Sequence, residues 1–334
     1  MAINNEVTVK SNKWRITVIV ILGLLAILGV VFSLAKGAVE IKFSEIVRLF
    51  FLNDIGVNSQ IIYNIRLPRT LVAVCVGMNL AVSGAVLQAI MRNPLADPHI
   101  IGISSGAGLA GIATMILLPK LEYLITPISF IGAMIAAAII YILAWKDGIR
   151  PIRIVLAGVA VSAFFGSGIS SLMIFYSDRI HSALMWMVGG LAARSWPHVD
   201  IVLPYTIIGF ILAYAGARYL NILQLGDDIA KSLGVNVEAV RLSMTAVAAI
   251  LAASSVSVVG LLGFVGLIVP HAARLLIGSD YRFLLPATAL LGIVVITFSD
   301  TFARVFFAPI ELPVGIIMAF VGAPFFLYLL RREL

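Results

Sequence analysis

The sequence predicts an all-α polytopic membrane protein with about ten transmembrane helices, and three observations carry that reading. Of 334 residues, 61% are apolar and 12% charged, about half the charge of an average soluble domain. Mean hydropathy is +1.10. Apolar runs recur at roughly 20 residues each, the length a helix needs to cross the hydrocarbon core. A helix satisfies its backbone within one segment, as lipid demands. Long unbroken runs such as 16–34 exclude a β-barrel, whose strands alternate in short segments. No stretch is left for a sizeable soluble domain, so residues 1–334 read as one transmembrane domain.

Lys10, Lys13 and Arg15 precede the first apolar run, 16–35. Ser33-Leu34-Ala35 faintly resembles a signal cleavage site, but the run exceeds a signal h-region and more spans follow. It is therefore expected to remain as an uncleaved first helix. The remaining spans are expected at 61–91, 98–118, 122–145, 152–175, 197–217, 240–260, 264–277, 283–306 and 311–330. With the N-terminus inside, ten spans return the C-terminus inside. Inside segments then hold 14 of the 23 Lys and Arg, and outside segments 9, a bias that fits the positive-inside rule.

That topology places 218–241 in the cytoplasm. The stretch carries six charges: Arg218, Asp227, Asp228, Lys231, Glu238 and Arg241. Asp227 is expected to cap a short helix that Gly234 ends, and Asn236 to cap a second helix running into lipid. Two small helices on a membrane surface suit docking of a soluble partner; a plain connecting loop is the alternative. Lys231-Ser232 is not a phosphate loop, because Leu225 and Ala230 stand where the backbone needs glycine.

Arg66, Arg69 and Arg304 run against the charge bias on the outside. Recruitment of an acidic partner is one role for them. Anchoring to headgroups is another, and Asp300, four residues before Arg304 on one helical face, offers a third as a local ion pair. The fifth span is rich in small and hydroxyl residues, including Ser162, Gly166 and Ser167. Such a face permits close helix packing or lines a pathway that holds its cargo weakly. Gly84, Pro94 and Gly102 recur as Gly260, Pro270 and Gly278 at an offset of 176 residues, a spacing that suggests duplicated bundles, a common transporter device.

Several functions are disfavoured. The net charge of +7 is scattered among loops rather than gathered in a patch, so nucleic acid is not the partner. Cys75 is alone and the four histidines lie far apart, so no metal site is expected. There is no H-E-x-x-H and no nucleophile beside a base, hence no catalytic residues. An ion-driven carrier needs buried ionisable groups, and the candidates are few: Asp300 near one end, with polar Asn79 and Gln88.

Seven segments together resemble the permease subunits of type II ABC importers for iron–siderophores, haem and cobalamin. They are Arg66-Leu67-Pro68-Arg69, the run from Gly84 to Gly108, Met185–Gly190, LGDDIAKSLGV, the run from Gly263 to Arg274, Asp300–Arg304 and Glu311–Gly315. In order and spacing they cover the chain from about residue 60 to the C-terminus. The resemblance implies a cobalamin-permease-like fold, a homodimer with its pathway on the two-fold axis, two cytoplasmic ATPase subunits that hold ATP and magnesium, and an extracytoplasmic binding protein. This chain itself would bind no cofactor, and it would sit in the cytoplasmic (inner) membrane of a bacterium or archaeon. An oxyanion such as molybdate is the alternative cargo to a chelate. Arg66, Arg69 and Arg304 match positions that meet acidic residues of the binding protein. Leu225, Gly226, Asp227, Asp228, Ala230, Lys231, Leu233, Gly234 and Val235 match the coupling segment that inserts in the ATPase. Asn93 and Leu95 match positions near the inner constriction of the pathway. Arg150-Pro151 departs from the small hydroxyl residues of the cobalamin permease, so that gate is not carried over.

Overall fold

The computed structural model describes residues 10–37, 39, 41, 45–46, 56–99, 102–146 and 151–333. Arg150, where the sequence departs from the family pattern, lies outside them. Among the described residues seven helices are long and apolar enough to span a membrane, and three shorter apolar helices bring the total to the ten expected.

In chain order the helices are α1 (Asn12–Ala35), α2 (Val57–Ile61), α3 (Leu67–Met91), α4 (Ile103–Leu117), α5 (Ile125–Ala144), α6 (Pro151–Phe175) and α7 (Ile180–Val188). After them come α8 (Trp196–Ala215), α9 (Ala217–Gln224), α10 (Asp227–Ser232), α11 (Val237–Val259), α12 (Val265–Ile277), α13 (Tyr281–Val305) and α14 (Val314–Glu333). A π-helical turn, Ile62–Arg66, joins α2 to α3 without a break, so the second span is 35 residues long. Every expected span has its helix, and the short α7 is an element that hydropathy did not single out.

Helices α3 and α11 form the centre. Over the 18-residue apolar stretch of each span, 83% of the residues are buried in the span containing α3 and 72% in α11, against 28% in those of α5, α6 and α8. Burial on all sides explains why α3 carries almost no amphipathic pattern: its neighbours include α8, α11, α12 and α13. Close approach is permitted by glycine. A Cβ on Gly84 would lie 1.9 Å from the Gly266 carbonyl of α12, and one on Gly77 would lie 2.4 Å from the Gly292 carbonyl of α13. With no side chain between them the backbones touch, the usual solution where lipid supplies no hydrophobic drive.

The repeated Gly–Pro–Gly pattern does not mark equivalent places. Gly84 is mid-helix, whereas Gly260 ends α11 with φ +81°. Pro94 lies in a loop and Pro270 inside α12, while Gly102 precedes a helix and Gly278 follows one. Their coincidence reflects the general need for glycine at helix ends and crossings.

Charge sorts to the two ends. At one, Arg15 pairs with Asp280 (3.6 Å), Asn221 donates to Asp280 (2.9 Å), and Arg92 and Arg241 both reach Asp227. At the other, Arg66, Arg69, Asp300 and Arg304 gather around Ser33 and Leu34. The first set is the one the basic bias assigns to the cytoplasm.

Candidate functional site

At the end that the basic bias assigns to the cytoplasm, α9, α10 and the first turn of α11 form a compact shelf. Gly226 caps α10 with φ +108°, a left-handed conformation that glycine takes without strain. Asp227 is therefore not the cap that the sequence suggested. It occupies the first helical position, and its carboxylate accepts two bonds from Arg241, at 2.7 and 2.9 Å. Arg241 is 2% exposed, so this bidentate pair fixes α10 to α11 from beneath. Gly234 follows α10 with φ +79° and ends it, and Asn236 Oδ1 accepts from the Ala239 amide at 3.0 Å as an N-cap, both as expected.

The shelf has two faces. Ala230 is fully buried against Leu223 and Val237. Outward, Leu225, Ile229 and Leu233 are 56%, 50% and 58% exposed. Ile229 and the C-cap Leu233 stand four residues apart on one side of α10, Leu225 precedes the break at Gly226, and Asp228 and Lys231 beside them are exposed. Three large aliphatic side chains held out on the polar side of a membrane protein are costly in water and mark a contact surface.

The outer arginines are engaged within the chain. Arg66, Arg69 and Arg304 are 4%, 8% and 7% exposed. Arg66 donates to the Leu34 carbonyl (2.7 Å), the Ala35 carbonyl (3.0 Å) and the Val39 carbonyl. It thereby closes the C-terminal end of α1, where unpaired carbonyls and the helix dipole favour a cation. Arg69 forks onto Asp300 at 2.9 and 3.1 Å and reaches Glu311 at 2.8 Å. Arg304 Nε lies 3.2 Å from Asp300, the i,i+4 pair the spacing allowed, and its Nη2 donates to the Ser33 carbonyl at 3.1 Å. An unpaired guanidinium is costly in a low-dielectric site. The three side chains clamp α1, α3 and α13 together, and Glu311, half exposed, is the part of the cluster that faces outward.

Of the expected pathway residues, Asn93 closes an Asx turn on the Leu95 amide at 2.9 Å and so fixes the loop after α3. Ser162 sits beside Gly102, at the start of α4. Gly166 faces open space and Ser167 is exposed, its hydroxyl bonded back to the Ala163 carbonyl. Ser162 is thus spent on packing within the chain, while Gly166 and Ser167 lie on a face without a partner. A cavity of about 830 Å³ opens near the loop, lined by Asp97, His99, Met187, Phe264 and Phe320 among others. Sequence reasoning missed this wall, since its residues come from the loop after α3, α7, the α11–α12 turn and α14.

The matching family model is that of the FecCD transport family, over residues 24–332. The chain belongs to that family. Among FecCD relatives, the Fe(3+)-citrate import system permease protein of Bacillus subtilis is 38% identical over 323 residues, 97% of each chain. The cobalamin import system permease protein of Halobacterium salinarum is 44% identical over 272 residues, 81% of this chain and 73% of its own. A metal-chelate type ABC transporter solved in an inward-facing conformation matches with a TM-score of 0.84 at 30% identity, covering 95% of this chain and 99% of that one. As a FecCD chain, the protein is a multi-pass membrane transport subunit, and its shelf, outer clamp and central helices are parts of one transport fold.

Proposed function

We propose that this FecCD chain is the transmembrane subunit of a binding-protein-dependent ABC importer. It works as a homodimer whose pathway lies on the two-fold axis, and it carries an iron chelate, haem or a cobalamin-like chelate into the cytoplasm. ATP and magnesium are held by two cytoplasmic ATPase subunits, and the cargo arrives on an extracytoplasmic binding protein. The observation that carries this reading is the set of exposed aliphatic side chains Leu225, Ile229 and Leu233 on and beside α10, which the Asp227–Arg241 pair ties to α11. A packed apolar contact on a rigid base can pass a rigid-body movement of a docked ATPase into α9 and α11. Relatives named for ferric citrate and cobalamin import support the cargo class.

The test is reconstitution of the chain with its ATPase and binding protein in liposomes. Uptake should require ATP and all partners, and should not respond to an imposed proton or sodium gradient. Ile229→Asp should leave the chain folded and dimeric while reducing stimulated ATPase activity and uptake together by about tenfold or more, as expected for a charge buried in an apolar interface. Full uptake by that variant, or uptake driven by an ion gradient alone, contradicts the proposal.

A further inference from the structure

The outer face holds a second cavity, of about 740 Å³, walled by the ends of α3 and α4, by α7 and by the linkers on either side of α7 and before α14. Its charged and titratable lining groups are Arg69, Glu122, Arg179, His181, Arg194 and Glu311. Most are accounted for. Arg69 is neutralised by Asp300 and Glu311, and Arg179 pairs with Asp178 at 3.5 Å and donates to the Ile116 carbonyl at 3.0 Å. Glu122 and His181 are exposed.

Arg194 is different. It lies in the linker between α7 and α8, partly buried, and among the described residues no carboxylate pairs with it. Its Nε is buried with no hydrogen-bond partner, and Nη1 has a long contact of 3.4 Å with Nε2 of His198. His198 is itself held by Ser195, through the Ser195 amide and hydroxyl at 3.2 Å to Nδ1. Burial, and then the charge of Arg69, hold the Arg194 guanidinium below the usual arginine range. A cation withdrawn from water without a counter-ion is costly. Its planar fork matches a carboxylate, which it takes in bidentate fashion.

We infer that Arg194 is the cargo-selecting residue of this outer cavity, binding a carboxylate of an anionic, carboxylate-bearing metal chelate as it leaves the binding protein. The inference rests on the chelate-import reading above and narrows it, since a neutral hydroxamate chelate offers the guanidinium no charge to meet. Trp186 lines the same cavity and serves as reporter.

The purified chain in nanodiscs is titrated with ferric citrate, following tryptophan fluorescence. Saturable quenching is expected, absent in Trp186→Phe and competed by iron-free citrate. Arg194→Ala should weaken it by about tenfold or more, the loss usual for a hydrogen-bonded charge, and Arg194→Lys should recover part of it. Arg194→Gln serves where the alanine variant does not fold. No saturable quenching, unchanged affinity in the variants, or equal binding of a neutral ferric trihydroxamate overturns the inference. So does a variant that loses affinity for the binding protein while still binding ferric citrate, because the carboxylate would then belong to the partner. ATP-driven uptake by the wild-type assembly is measured separately, so a failed import reading is told apart from a failed Arg194 site.

Discussion

Asp300 is the residue on which the outer end turns. It is 1% exposed and accepts from Arg69 while lying 3.2 Å from Arg304 Nε. Removing it leaves two buried guanidinium groups facing each other, and breaking a buried ion pair from one side costs about 3–5 kcal/mol. Asp300→Ala should therefore lower thermal stability in detergent by about that much, and Glu311→Gln, whose carboxylate is half exposed, by about 0–1 kcal/mol. Equal effects would show that the cluster is not organised around Asp300. Asp280 gives a pH test at the opposite end. Hydrogen bonds from Arg282, with Asn221 assisting against partial burial, lower its carboxyl from 3.8 to about 2. The folded state holds the ionised form more strongly than the unfolded chain, so the stabilisation is complete above 3.8 and is lost as pH falls from there through about 2. The Asp280→Asn variant should show a shallower loss of melting temperature across that window, and identical slopes would contradict the assignment. Of these contacts the sequence shows only the i,i+4 pair of Asp300 with Arg304. Arg69 lies 231 residues from Asp300, and no local pattern encodes a partner so distant. Arg194 was indistinguishable from the other outer basic residues, because a missing counter-ion is a property of space and not of spacing.

At the scale of elements, helices were legible because lipid leaves few alternatives: apolar length alone locates a span. Asn236 and Gly234 act at helix ends as their chemistry predicts, whereas Asp227 yielded the cap to Gly226 because its carboxylate is taken by Arg241. What hydropathy does not report is which helices lie at the centre. That arrangement depends on glycine pairs separated widely in sequence, and it makes a sharp prediction. Gly84→Ala would place a methyl 1.9 Å from the Gly266 carbonyl, backbone that cannot rotate away. Helices α3 and α12 must separate, and overpacking of this kind costs about 1–3 kcal/mol or more. Gly166→Ala, where nothing lies within 4 Å, should be near neutral within one protomer. Thermal unfolding of the two variants side by side measures the contrast, and a Gly84→Ala protein as stable as wild type would refute the close crossing.

For the whole molecule, the basic bias between the two charged ends and the ten expected spans predicts an orientation, and the proposed function depends on it. The exposed aliphatic side chains around α10 can serve the proposed coupling only where an ATPase can reach them, and the cavity beside Arg194 the proposed selection only where cargo arrives. The native Cys75 is 3% exposed and in an apolar helix, so the wild-type chain should resist membrane-impermeant thiol reagents and serve as a clean background. Leu233→Cys, at a site 58% exposed on the shelf, and Tyr123→Cys, at a site 73% exposed between α4 and α5, then report on opposite sides. In intact cells the reagent should label Tyr123→Cys and spare Leu233→Cys; in inverted vesicles the pattern should reverse. Labelling of Leu233→Cys from outside would place these side chains away from ATP and would remove the physical basis for coupling them to hydrolysis.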